Sequence, residues 1–432
     1  MGTFQVGLLL IGTFALLLAL SVPVSVSIII SSVVTMASTL SLDLGTFVAS
    51  QRMVGGVDSF SLLAVPFYIL CGVLMNTGGI AQKLIDFAKI LVGRIPGLAH
   101  TNILGNTLFG SLSGSSVAAS VAIGGVLIPM EEKEGYDKKF AAAVNIASAP
   151  TGLIIPPSGI LIIYPVLAGC SVVGMIMSGY IPGLMWALAC MVVAYVIAKK
   201  NHYPTAGKVP ASVFFKYFVD AIPSLLLIVI IVGGVMSGIF TATESAAVAV
   251  AYTLFLSIVV YRSIKIKDLP KILLDACETT AVIMFLIAGS NVMSFVMSFT
   301  GLPSAIGNAL ISVSSNKYVI LLIINLVLLV VGCFMDITPA VLIFTPIFLP
   351  VVQSFGMDPI HFGIMMVMNL GIGNITPPVG SALFSGCSVA DMDMEDMIKP
   401  ILPFYAAIFV ALMLVAYVPW FSMALPTLFG AV

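Results

Sequence analysis

Along this chain, long apolar runs alternate with short polar breaks, and the spacing of the breaks predicts its architecture. Runs of about 20 apolar residues are long enough to cross a bilayer as helices. They predict spans over residues 4–20, 24–40, 61–75, 180–198, 221–237, 245–261, 274–298 and 398–419. Between 79 and 93, Ile80, Leu84, Phe87 and Leu91 recur at helical spacing, with Lys83, Asp86 and Lys89 on the opposite face. A helix of that pattern lies in the membrane interface. The nearly uncharged stretch 302–314 is its counterpart. Four further runs are interrupted. Those at 101–130 and 318–352 break at polar tips, near 113–116 and 336–339, and predict re-entrant hairpins. Those at 140–168 and 361–386 break at Pro-Pro, which removes two backbone donors and ends a helix.

The interruptions are paired. Pro350 follows Pro129, Asp358 follows Asp137, Pro378 follows Pro157 and Gly380 follows Gly159, each by 221 residues. The chain therefore divides into halves 1–216 and 217–432, with the loop 199–216 as the boundary. Each half holds three spans, an interfacial helix, a re-entrant hairpin and two further spans, one of them broken. A hairpin makes no net crossing, so each half crosses five times. An odd number forces opposite orientations, and the expected fold is an all-α inverted repeat, the plan of many secondary transporters.

Composition agrees with a membrane protein. The chain is 60% hydrophobic and 8% charged, with mean hydropathy +1.20, whereas soluble domains carry about 25% charged residues. The alternation of a β-barrel strand is absent, and a net charge of −1 offers nothing to nucleic acid. Cys71, Cys170, Cys190, Cys277, Cys333 and Cys387 are scattered without CxxC or paired His, so neither a metal site nor a disulfide framework is indicated. The first run lacks a basic flank and reads as a span rather than a leader. With the N-terminus outside, fifteen Lys and Arg lie on inner segments and only Arg52 and Lys317 on outer ones. That bias places both termini outside. The first hairpin then enters from the cytoplasm and the second from the opposite face, so that their tips meet near the midplane.

Irregular backbone at membrane depth must be buried in protein or line a watered cavity. Freed carbonyls, hydroxyls and amides are hard oxygen ligands for a small hard cation, and half-helix N-termini favour an anion. Ser, Gly and Pro in membrane helices are often packing devices, but four breaks paired at one offset favour a site. One Na+ is expected in each repeat, held by Ser113, Ser115, Ser116, Asn145 and Gly152 in the first and by Asp336, Thr338, Asn369, Gly373 and Asn374 in the second. A substrate carboxylate is expected between them, near Thr151, Pro156, Pro157, Ser158, Thr376, Pro377, Pro378 and Gly380. Asp336 is the one carboxylate deep in a hairpin, a functional position by default; its competing role is to cap the return helix. Glu244 reads as a helix cap, Arg52 as an interfacial anchor or an anion guide, and Asn291 and Asn325 as interhelical glue. His100, His202 and His361 sit at run ends, and no proton relay is expected of them. Residues 391–396 read as a solvated inner loop. An intramembrane enzyme is disfavoured, because the serine-rich tip has no mid-span His and Asp336 has no second deep Asp.

A family resemblance rests on QRMVGGVDSF at 51–60, NTGG at 76–79, SGSS at 113–116, PPS at 156–158, GIFTATES at 238–245, MDITP at 335–339 and NITPPVG at 374–380. As a set these resemble the large membrane (M) subunit of a TRAP (tripartite ATP-independent periplasmic) transporter. Ala242 departs from the family's pattern, which has proline there. The resemblance implies Na+-driven uptake of an organic acid, such as sialic acid or a C4-dicarboxylate, across a bacterial inner membrane. It implies a periplasmic substrate-binding protein (P-type) and a small membrane subunit (Q-type) as partners. It also implies an elevator, in which the hairpins and broken helices form a transport domain moving against a scaffold made of the remaining spans. The alternative is a Na+/dicarboxylate symporter of similar fold that works without a binding protein.

Overall fold

The computed structural model describes residues 2–92, 97–204, 211–314 and 316–432, and its regular elements are all helical among those residues. The chain begins with α1 (Thr3–Ala19), α2 (Val24–Thr39), α3 (Leu42–Val57), α4 (Ala64–Thr77) and the amphipathic α5 (Ile80–Val92). The first hairpin is α6 (Gly97–Ser113) and α7 (Ser116–Lys133). Its broken helix comprises α8 (Lys138–Ser148), α9 (Thr151–Ile154) and α10 (Ile160–Ala168), after which α11 (Val172–Ser178) leads into α12 (Tyr180–Lys200). The chain goes on with α13 (Ala211–Ile228), which passes through a π-helical turn into α14 (Gly234–Met236), and with α15 (Ala242–Phe255), α16 (Leu269–Thr300) and α17 (Leu302–Val313). The second hairpin is α18 (Lys317–Phe334) and α19 (Ile337–Ser354). Then come a broken helix, α20 (Pro359–Asn374) and α21 (Ser381–Val389), and finally α22 (Met394–Tyr417) and α23 (Trp420–Leu428). Among the described residues eight helical stretches are long and apolar enough to cross a bilayer, so the chain is a multi-pass membrane protein.

The spaced apolar runs appear as helices at nearly their expected positions, and three helices are additional: α3, α11 and α23. In α3 the polar Asp43, Gln51 and Arg52 and three glycines interrupt the hydropathy. Tertiary packing and a cap make it helical nonetheless. Ser41 accepts a hydrogen bond from the Leu44 N–H at 3.3 Å, and Gly45 and Gly56 let its backbone approach Met36 and Asn291. The proposed inter-half loop falls between α12 and α13; its residues 205–210, Lys208 among them, lie outside the described residues, as does Arg94.

The 221-residue offset recurs as geometry. Asp137 and Asp358 are the N-caps of α8 and α20, each accepting from the backbone N–H two residues on, at 2.8 and 2.7 Å. Gly135 and Gly356 precede them at φ +88° and +81°, the left-handed turn that glycine adopts without steric cost. Ser115 and Asp336 are the N-caps of the two return helices α7 and α19, and the Pro156–Pro157 and Pro377–Pro378 bonds are both cis. The first helix of each hairpin meets its broken helix glycine to glycine, Gly110 on Gly152 and Gly332 on Gly373.

The centre of the protein is built from α8 and α20. Every residue from Phe140 to Ser148, and from Ile360 to Asn374, is buried. The indole of Trp186 on α12 donates to the Ala147 carbonyl at 2.9 Å, and the Tyr164 hydroxyl on α10 donates to the Pro359 carbonyl at 2.6 Å, joining the two repeats. Gly363 faces the Tyr164 ring so closely that a Cβ would lie 2.3 Å from it. These contacts hold the two broken helices at a fixed relative position.

Candidate functional site

The two hairpins start their return helices differently. At the first tip Gly114 turns at φ +61°, and Ser115 caps α7 by accepting from the Ala118 N–H at 3.2 Å. At the second tip Asp336 occupies the N-cap position of α19, yet its side chain makes no cap hydrogen bond. It accepts instead from the Ser381 hydroxyl at 3.2 Å and is otherwise exposed. A carboxylate that is not used for capping remains available to a ligand.

Both tips open on one cavity of about 410 Å³. The first hairpin contributes Ser113, Ser115 and Ser116, the second Asp336 and Thr338, and the breaks of the two broken helices Pro157 and Asn374. Tyr68 and Asn76 on α4 and Thr279 and Ile283 on α16 close the opposite wall. Asn374 ties the repeats together: its Nδ2 donates to Ser116 Oγ at 2.9 Å, and its Oδ1 accepts from the Ala382 N–H at 3.0 Å and from the Ser381 hydroxyl. Ser381 is thus shared by Asn374 and Asp336, at the start of α21. It went unmarked in sequence because its partner at the 221 offset is Ile160, an apolar residue.

Of the residues expected at the two ion sites and the substrate, the seven just named line the cavity. The others stand behind it. Asn145 donates to the Ser120 carbonyl at 2.9 Å and accepts from Asn106 Nδ2 at 3.0 Å. Asn369 Nδ2 donates to Asn325 Oδ1 at 2.7 Å, the interhelical role read for Asn325. In both repeats an amide pair therefore clamps the first hairpin helix to the buried half of the broken helix. Gly152 and Gly373 sit at the glycine contacts. Thr151 donates to the Ser148 carbonyl and Thr376 to the Ile372 carbonyl, at 2.7 and 2.6 Å. Pro156, Pro377, Pro378 and Gly380 shape the breaks, and among the described residues the buried Ser158 hydroxyl has no hydrogen-bond partner. His361 is buried and bonds the Val415 carbonyl at 2.8 Å. Glu244 forms a capping box with Thr241, as its position suggested.

The first amide clamp continues outward to a residue that the sequence reading passed over. Asn106 Nδ2 also meets Asn102 Oδ1 at 3.0 Å, and Asn102 Nδ2 meets both oxygens of Glu131 at 3.3 and 3.5 Å. Glu131 is fully buried and forms no ion pair among the described residues. Its side chain ends this ladder as an acceptor, which an amide replaces without loss. Glu131→Gln is expected to hold stability to within about 1 kcal/mol, whereas Glu131→Ala strands the Asn102 donor and costs about 1–3 kcal/mol. Thermal melts of the two variants side by side check the ordering.

The chain matches the family described as "Tripartite ATP-independent periplasmic transporter, DctM component" over residues 11–421. It is 50% identical to the protein YgiK of Salmonella typhimurium, covering 98% of each chain. It is 39% identical to the sialic acid TRAP transporter large permease protein SiaM of Vibrio cholerae, covering 96% of each. Among solved structures it superposes on the YdaH transporter of Alcanivorax borkumensis with a TM-score of 0.63 at 13% identity, over 88% of each chain; that likeness concerns the fold.

Proposed function

Since this chain belongs to the tripartite ATP-independent periplasmic transporter family, as its DctM component, we propose that it is the large permease of a Na+-coupled importer of an organic acid. The observation that carries the reading is the convergence of both hairpin tips on one cavity, with an uncapped carboxylate at Asp336 and a hydroxyl–amide chain through Ser381, Asn374 and Ser116. Oxygen ligands of that kind suit Na+, and the starts of α7 and α19 bring free backbone N–H groups to the same space for the substrate carboxylate. One ion is assigned to Ser113, Ser115 and Ser116, the other to Asp336, Thr338 and Asn374. Ion binding would draw the two tips together and tighten the substrate site, and the substrate would tighten ion binding by the same factor.

The hairpins and broken helices, locked by their glycine and amide contacts, act as the moving body of an elevator, with α4 and α16 as the fixed wall. The inward bias of Lys and Arg sets the orientation, with both termini in the periplasm. Large permeases of this family work with a small permease and a periplasmic binding protein, and those are the partners proposed here. The sialic acid named for the Vibrio relative and C4-dicarboxylates are the substrate classes to try first.

Reconstitution in vesicles with the small permease and the binding protein tests the proposal. An inward Na+ gradient is expected to drive accumulation of the labelled acid, and its replacement by K+ to reduce uptake to background. Accumulation that ignores Na+ would refute the coupling. Equal uptake with the binding protein omitted would point to the binding-protein-independent symporter instead.

A further inference from the structure

A second cavity, of about 630 Å³, lies between α3 and α16, away from the hairpins. Arg52 and Gln51 line it from α3, and Ser294, Phe295 and Ser298 from α16. The Arg52 guanidinium carbon sits 4.3 Å from the centre of the Phe295 ring. Stacking of this kind fixes the guanidinium plane and leaves its N–H edge free for a planar, bidentate acceptor. Among the described residues that edge meets no carboxylate and no hydrogen-bond acceptor. The Gln51 amide and the Ser294 and Ser298 hydroxyls likewise form no side-chain hydrogen bond there. The contrast along α16 is informative, because Ser290 and Thr300 return their hydroxyls to carbonyls four residues back, at 2.9 and 2.8 Å. Ser294 and Ser298 keep theirs for the cavity.

We propose that this cavity is a binding site for a small organic carboxylate, taken in the fork of Arg52 and hydrogen-bonded on its remaining oxygens by Gln51, Ser294 and Ser298. A concave space of this volume fits a small acid, and Arg is the side chain whose geometry matches a carboxylate pairwise. The site deepens the reading of organic-acid import and rests on it for the ligand class: it is a staging post outside the central cavity. Ile283 of the central cavity and Ser294 of this one are eleven residues apart on α16, about 16 Å along the axis and nearly on the same face. Arg52 is also one of only two basic residues that the charge bias leaves on the outer side. An acid released there would meet a cation before descending along α16.

Gly55 supplies a variant that fills the space while leaving Arg52 itself in the chain, since Gly55 lines the same cavity and a Cβ there meets no atom within 4 Å. In vesicles carrying the chain, the small permease and the binding protein, labelled sialic acid and succinate are the probes. Arg52→Ala and Gly55→Phe are expected to raise the concentration for half-maximal uptake about tenfold at an unchanged plateau. Arg52→Lys, which keeps the charge and loses the fork, is expected between these and the parent. Equilibrium dialysis of the purified complex is expected to lose one bound equivalent of the acid in Arg52→Ala. An unchanged half-saturation with no equivalent lost overturns the proposal. So does loss of the small permease or the binding protein from the Arg52→Ala complex, which would make a partner's carboxylate the occupant. Asp336→Asn in the same vesicles separates the two readings. If it stops uptake while Arg52→Ala changes nothing, this site fails and the transport reading stands. If Arg52 governs a bound equivalent but no parent vesicle takes up acid, the site stands and the transport reading fails.

Discussion

Asp336→Asn is expected to lower Na+-driven uptake by about one to two orders of magnitude, with a melting temperature close to that of the parent. The two halves of this expectation have separate causes. Hydrogen bonds and ion contacts to a charged group contribute about 1.5–3 kcal/mol each, and 1.4 kcal/mol is a factor of ten in an equilibrium constant. Replacing the carboxylate by an amide keeps its size and removes the charge that would hold the ion. The fold does not depend on it, because the side chain makes no cap hydrogen bond to α19 and its one partner among the described residues is the Ser381 hydroxyl, which an amide oxygen also accepts. Flux measured against Na+ concentration, beside a thermal melt, checks both. A variant that keeps full Na+ dependence removes Asp336 from the ion site. A variant that melts far below the parent shows that the carboxylate has a structural role instead.

The second large effect is on stability, at the glycine contacts behind the cavity. A Cβ on Gly152 would lie 2.2 Å from the Cα of Gly110, and one on Gly373 would lie 2.4 Å from the carbonyl carbon of Gly332. Both obstacles are backbone, which cannot rotate away as a flexible side chain can. In an exposed helix Gly→Ala gains up to about 1 kcal/mol from propensity. Here the hairpin would have to separate from the broken helix, and overpacking of a tight core costs about 1–3 kcal/mol or more. Gly152→Ala and Gly373→Ala are therefore expected to destabilise the protein by about 3 kcal/mol and to lose uptake with it. Gly55→Ala, where the same Cβ meets open space, serves as the control and is expected to be neutral or slightly stabilising. Detergent-solubilised melts of the three variants decide it; equal melts for all three would mean that the hairpin contacts yield readily.

Much of this was legible beforehand, for identifiable reasons. Hydropathy runs predict helices in a bilayer because an unpaired backbone group there is too costly to leave bare, so α1, α2, α4, α12 and α22 could be placed from apolar length alone. Polar tips and Pro-Pro pairs located the breaks, since proline removes a donor wherever it stands. The fixed offset of 221 residues then recurred as matching caps and turns. The helix α3 was not legible, because Asp43, Gln51, Arg52 and three glycines interrupt its hydropathy, and only the fold shows that Gly45 and Gly56 serve close packing on Met36 and Asn291. Ser381 and Glu131 escaped for a related reason: each acts through a partner distant in sequence, Asp336 for the one and Asn102 for the other.

The order of elements, the pairing of the two halves and the presence of oxygen-rich breaks were set by the chain itself, because each depends on a local rule of apolar length, proline chemistry or glycine conformation. Which of those oxygens share a space was decided only by the fold. Asn145 and Asn369 belong to the same polar segments as the cavity residues, yet packing of α6 on α8 and of α18 on α20 commits their amides to Asn106 and Asn325. Asn374, five residues beyond Asn369 and the last residue of α20, reaches Ser116 of the opposite repeat. Hydrogen-bond partners are chosen by distance in three dimensions, and one helical turn is enough to move a side chain from the clamp to the site.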